Sequence, residues 1–265
     1  MAQILRPSHK CLRKSLFTSI DIGLSLLLLL MPTTALADGS NNSNDPPPQT
    51  TGTSGGSRGG GSRGCETQSE TSSSRVPPLI LLAPSQIYGQ TLATRPTFAW
   101  FISNSASSQM EFRLYEYDQV SKQSKLVKEI KDENFKSLPG IMVLSLSNPE
   151  LLVGQRYFWQ IELVCDANHP SGNPFATAAM KVVSVQPDLE KQLSQSYDVL
   201  TKANLYNQAD LWYNTLEIAL TSKDQPKLRQ LKTYLLEQVA NGSKTEFKEQ
   251  IQVELTKSAI HQLQR

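Results

Sequence analysis

Apolar and polar residues alternate with a period of two through the middle of the chain and with a period near 3.6 towards its end, and the change falls at Pro187. Before it, short runs bounded by turn residues read as strands over 79–83, 97–103, 111–117, 125–130, 141–146, 157–165 and 180–185. In the third run Phe112 and Leu114 take one face and Tyr115 and Tyr117 the other. In the sixth, Tyr157, Trp159, Ile161 and Leu163 keep strict alternation. Seven short strands at this spacing predict an antiparallel sandwich.

After Pro187, Leu189, Leu193, Tyr197 and Leu200 mark one helical face. Leu205, Ala209, Trp212, Leu216 and Ala219 mark a second, and Leu228, Leu231, Leu235 and Val239 a third. Asn241-Gly242 stops that helix, and Ser243 with Glu246 is spaced as a capping box for a last one carrying Phe247, Ile251, Leu255 and Ala259. Successive amphipathic helices with short connections are expected to pack as antiparallel hairpins. The stretch from Tyr206 to Tyr213 is similar to a degenerate tetratricopeptide-type helix pair, and one unit is too few for a repeat array.

The segment ahead of the strands is different. Residues 38–78 hold eight of the 14 glycines, five of the 15 prolines and no aromatic residue, a composition that cannot bury enough apolar surface to offset its ordering entropy. Residues 1–37 carry Lys10, Arg13 and Lys14, an apolar run from Ile22 to Met31, and Ala35-Leu36-Ala37, the small-x-small pattern cleaved by a signal peptidase. The expected division is therefore a signal peptide over 1–37 with cleavage after Ala37, a disordered linker over 38–78, a β-sandwich domain over 79–186 and a helical domain over 187–265. The overall class is α+β: a fibronectin- or immunoglobulin-like antiparallel sandwich followed by a small helical, degenerate tetratricopeptide-like region.

The run from Leu26 to Met31 is far shorter than the ~20 apolar residues that span a bilayer, so the expectation is export to the periplasm or beyond, without stable membrane insertion after cleavage. Cleavage also changes the charge. The formal net charge of +2 becomes −1, because the leader carries four basic residues and one acidic one. A near-neutral remainder offers no footprint for nucleic acid. Cys11 leaves with the leader, and the remaining pair, Cys65 and Cys165, is expected to form a disulfide in an oxidising compartment, closing a loop of about 100 residues.

Several features occur in one order: Ser62-Arg63-Gly64-Cys65; Arg95-Pro96-Thr97-Phe98-Ala99-Trp100; Leu138-Pro139-Gly140-Ile141; Val153-Gly154-Gln155-Arg156-Tyr157-Phe158-Trp159 with Cys165; and the Leu205-Tyr206 to Trp212-Tyr213 block. Together with a signal peptide they resemble the cyanobacterial exported family known as domain of unknown function 928, over roughly residues 63–239. The resemblance implies the two-part architecture and export. It brings no activity, cofactor or catalytic residue. One departure is Asp210-Leu211 before Trp212, where a glycine is expected, and it puts the helix boundary there in question. Leu151 to Trp159 also resembles the tyrosine corner of fibronectin-type sandwiches, in which the Tyr157 hydroxyl bonds to nearby backbone.

Catalytic patterns match only out of context. Gly52-Thr53-Ser54-Gly55-Gly56 and Gly60-Gly61-Ser62-Arg63-Gly64 have the nucleophile-elbow spacing, and Gly59 to Gly64 has the dinucleotide spacing, but none follows a strand or opens a helix. The Arg58 and Arg63 repeats read as solvated linker. Beyond the leader only His169 and His261 remain, so nucleophilic triads are disfavoured, and Glu116 with Asp118 or Asp132 with Glu133 read as solvated neighbours. Trp100, Trp159 and Trp212 sit at core-compatible positions. The loop holding Asp166, Asn168, His169 and Asn173 is the candidate binding site, although turn chemistry explains the same residues. No catalytic residue, metal or cofactor is expected. The functional expectation is a non-catalytic envelope module recognising a protein partner, with an envelope or extracellular polysaccharide as the alternative and a hydrolase third.

Overall fold

The computed structural model describes residues 76–84, 88–103, 107–168, 170–222, 225–243 and 247–265. The expected leader, its cleavage point at Ala37, almost all of the linker, Cys65 and His169 lie outside the described residues. The described residues fall within one compact unit.

In order, the elements are β1 (Leu79–Leu81), β2 (Gly89–Thr91), β3 (Thr97–Ile102), β4 (Gln109–Tyr117), β5 (Ser124–Ile130), β6 (Gly140–Ser145), β7 (Arg156–Val164) and β8 (Phe175–Val182). Then come α1 (Pro187–Gln195), α2 (Val199–Gln208), α3 (Trp212–Thr221), α4 (Pro226–Gly242), α5 (Lys248–Lys257) and β9 (Ile260–Gln264). One sheet runs β1-β3-β6-β9 and the other β2-β8-β7-β4-β5. Most neighbours are antiparallel; β2 with β8 and β6 with β9 are parallel. The protein is thus α+β, mostly strands and then helices, as the change of period at Pro187 predicts.

The burial pattern explains the sequence pattern. In the five-stranded sheet β7 buries every second residue, and β4 does so up to Leu114, where the register with β5 shifts and Tyr115 is buried too; Phe112, Leu114, Tyr157, Trp159 and Ile161 meet Phe98, Trp100, Met142 and Leu144 of the four-stranded sheet in one core. In the four-stranded sheet β3 is buried along its whole length, and β6 along all but its last residue. Their second face, Ala99, Phe101, Ile141 and Val143 with Ile80 of β1 and Leu82 just after it, packs against Leu216, Leu220, Leu235, Leu236, Val239, Ile251 and Leu255 of the helices. Strands covered on both faces lose alternation and become continuously apolar, as Thr97-Phe98-Ala99-Trp100-Phe101-Ile102 does. With about 1.5–3 kcal/mol for each large apolar side chain fully buried, this second core is a main stabilising contribution.

Two departures from the periodicity stand out. The face of alternating four-residue spacing that runs through Phe247, Ile251, Leu255 and Ala259 ends as helix at Lys257, and residues 260–264 return to the sheet as β9 beside β6. Gly140, at φ +118°, allows this approach: a Cβ there lies 2.6 Å from the Ala259 carbonyl oxygen, which accepts a hydrogen bond from the Ile141 amide. Ser243 follows the end of α4 and Phe247 directly precedes α5, so the expected Ser243 box does not cap α5; Glu246 lies outside the described residues. The second departure is the expected continuous face from Leu205 to Ala219. It breaks into α2 and α3 at Asp210, whose φ of 55° is the left-handed conformation usually given to glycine. Tyr197, expected on a helical face, lies between α1 and α2 and is exposed.

Candidate functional site

The loop after β7 is held by one side chain. The Asn173 carboxamide oxygen accepts hydrogen bonds from the Cys165 and Asp166 amides at 3.0 and 3.1 Å, and its nitrogen donates to Glu162 Oε1 at 3.0 Å. Asp166 Oδ1 accepts from the Asn168 amide at 2.8 Å, which is an Asx turn. Asp166, Asn168 and Asn173 are brought together, but the Asp166 and Asn173 oxygens accept from the loop's own backbone. Among the described residues no group of three His, Cys, Asp or Glu side chains is arranged to hold a metal.

The other titratable candidates are likewise engaged. His261 Nε2 donates to the Pro139 carbonyl at 3.0 Å. Asp118 accepts from the amides of Val120 and Ser121, and the Val120 bond leads in holding its carboxyl below the usual range. Asp132 pairs with Arg265, and Glu116 accepts from Gln155. On the outer face of the five-stranded sheet Arg113 is ringed by Glu162, Glu129 and Glu111 from three adjacent strands. Partial burial opposes the guanidinium charge, but the carboxylates outweigh it and its pKa is raised.

Periodicity gives no sign of the junction between helices and sandwich. The α2–α3 corner drives three consecutive side chains into different partners. Trp212 Nε1 donates to the Leu82 carbonyl at 3.0 Å. Tyr213 enters the sandwich core, where its hydroxyl accepts from Trp159 Nε1 at 2.9 Å, and burial pushes its pKa far up. The Asn214 oxygen accepts from the Leu92 amide at 2.8 Å and from the Thr91 hydroxyl at 3.2 Å. Gly89 in β2 is needed here, since a Cβ would stand 2.6 Å from Tyr213 Cε2. Of the three tryptophans, Trp100 and Trp159 are fully buried and Trp212 is half-buried.

Two clefts flank this junction, and Gln90 and Leu211 line both. The first, about 320 Å³, has Leu92, Val153, Lys181 and Leu189 in its walls. The second, about 260 Å³, has Tyr88, Asn207, Asp210, Trp212 and Tyr234. Next to the first cleft, Leu152 and Val153 are 59% and 55% exposed. Their loop is rigidly tied. The Leu152 amide donates to the Tyr157 hydroxyl at 2.9 Å, which is the local backbone bond expected of that tyrosine, and the Leu151 amide donates to the Thr94 carbonyl at 2.7 Å.

Two face-packed sheets with a helical layer on one of them define a mixed α+β protein with no helix, among the described residues, long and apolar enough to cross a membrane. The chain belongs to the family described as Domain of Unknown Function (DUF928), whose model matches residues 55–248. No curated protein matches the chain. Among solved structures it is similar to a lytic polysaccharide monooxygenase important for efficient utilization of chitin in Cellvibrio japonicus, at 15% identity and a TM-score of 0.23, covering 38% of this chain and 58% of that one. It is also similar to Astrotactin-2, a vertebrate-specific and perforin-like membrane protein, at 10% identity and a TM-score of 0.26, covering 69% of this chain and 38% of that one. Likenesses at these TM-scores carry no argument about this chain's activity.

Proposed function

We propose that the protein is an exported, non-catalytic interaction module of the cell envelope that recognises a protein partner. The observation that carries this reading is the Leu152–Val153 corner: two large apolar side chains held in solvent by a loop whose backbone is tied on both sides. Folding does not require their exposure, and a rigid apolar presentation lowers the ordering cost of association. The test is a photo-crosslinking residue at Leu152 in the full chain within envelope fractions. A discrete crosslinked protein, lost when Val153→Asp is added, is expected; absence of any crosslinked protein from a folded chain overturns the reading.

The finer fold reading, an immunoglobulin- or fibronectin-like sandwich with a degenerate tetratricopeptide-like helix pair, belongs with this proposal. It is supported by the order β1-β3-β6 opposite β5-β4-β7-β8, by β2 running parallel to β8, and by the Tyr157 bond. The Cys65–Cys165 disulfide is part of the same reading, since export supplies the oxidising compartment. A second reading, polysaccharide binding, is favoured by the aromatic and amide lining of the smaller cleft.

A further inference from the structure

We propose that the cleft between β2 and helices α2, α3 and α4 is a binding site for neutral sugar rings. The proposal rests on the second reading above and gives it a place and a ligand class. Three aromatic side chains line the cleft: Tyr88, Trp212 and Tyr234. Trp212 is fixed, because its N–H is committed to the Leu82 carbonyl and its ring packs against both cores. Tyr234 is 46% exposed although its neighbours Leu235 and Leu236 on α4 are buried. Aromatic rings cover the apolar C–H faces of a pyranose, and half-exposed ones offer that surface without unfolding anything.

The polar lining is of the complementary kind. Gln90 and Asn207 bring side-chain amides to the lining, and Asp210 adds an exposed carboxylate. Amides donate and accept together, which suits hydroxyl groups that do the same. Among the described residues that line this cleft none is basic; Arg156 stands against it, its guanidinium 4.6 Å from the centre of the Tyr88 ring, so Trp212 and Tyr234 are the rings left to a ligand and the charged probe tests whether Arg156 reaches it. Its volume, about 260 Å³, is near the lower end for ligand pockets and suits one ring or the end of a glycan chain.

The probes are soluble cellohexaose, chitohexaose and maltohexaose, with an oligomer of uronic acid as the charged comparison, titrated into the full secreted chain by calorimetry and tryptophan fluorescence. Trp212 is the half-buried tryptophan and the expected reporter. Saturable binding of at least one neutral probe is expected, weakened tenfold or more by Tyr234→Ala and by Asn207→Ala. Tyr234→Phe should retain it, and so should Tyr197→Ala, which alters a side chain 95% exposed between α1 and α2. Matching thermal transitions for all variants separate loss of binding from loss of fold. Binding unchanged in both alanine variants, or a preference for the uronate oligomer, overturns this site and leaves the polysaccharide reading standing. Failure of every probe, neutral and charged alike, overturns both.

Discussion

Replacing Tyr213 by phenylalanine removes a single oxygen from the interior. Its hydroxyl accepts the Trp159 indole N–H at 2.9 Å, and both side chains are fully buried, so removing the oxygen leaves the Trp159 donor without its acceptor inside the core. A buried donor left unpaired costs about 1–3 kcal/mol. For a folded region of this size each kcal/mol is worth roughly 2–4 °C, so Tyr213→Phe should lower the melting temperature by about 2–12 °C. Urea unfolding of the full chain, followed by far-ultraviolet circular dichroism and by tryptophan fluorescence, gives the free energy. The decisive comparison is the same substitution in a Trp159→Phe background. There the donor is already gone, and removal of the hydroxyl should be nearly neutral, because replacing both partners by apolar groups leaves nothing unsatisfied. Equal costs in the two backgrounds, or a cost below about 0.5 kcal/mol in the original one, refute the account of α3 as anchored through this bond.

Asn214→Ala should cost about 1–3 kcal/mol and speed hydrogen exchange at the Leu92 amide, which donates to its side chain; an unchanged Leu92 exchange rate rules out that bond as the hold on β2. Glu217 on α3 has its pKa raised, by burial first, with a hydrogen bond involving Thr97 working the other way. The folded state therefore favours its protonated form, a contribution that is complete below the unfolded pKa and is lost as pH rises through the folded one. Glu217→Gln should accordingly raise the melting temperature at neutral pH and lose this advantage in acid; parallel pH profiles contradict it. On the proposed reading, with residues 1–37 removed and Cys65 paired with Cys165, alkylation before and after reduction should label none and then two thiols in mass spectrometry. The chain-entropy account gives about 4.7 kcal/mol for a loop of about 100 residues, so reduction should also lower the melting temperature.

What could be read in the sequence was whatever depended on neighbours along the chain. The alternation of Tyr157, Trp159, Ile161 and Leu163 marks β7 because one face meets core and the other does not. The unbroken apolar runs of β3 and β6 carry a trace of their two-sided burial, with nothing to identify the second cover as the helices. β2 is only Gly-Gln-Thr, and it is held by its pairing with β8 and by Asn214, 123 residues beyond Thr91. β9 escaped for another reason. Leu263 continues the four-residue spacing of Ile251, Leu255 and Ala259, so only the free edge of β6 decides that the segment is a strand. Local helical spacing was overridden by tertiary pairing. At the candidate loop, the polar residues were visible and Asn173 proves to bind the loop's own backbone; Tyr88 and Tyr234 of the smaller cleft carry no local pattern that joins them.

The pairing of β9 with β6 also fixes an order of events. Ile260 meets Ile141 and Gln264 meets Ser145, so five helices must be made before this side of the sheet is complete. Until then a growing chain presents the bare edge of an apolar strand, a template for pairing with other chains. Contacts of such long sequence separation form late and slowly. A chaperone that shields the β6 edge during synthesis should therefore matter more to the yield of this protein than to its final stability, and truncation before Ile260 should aggregate before it loses its helices.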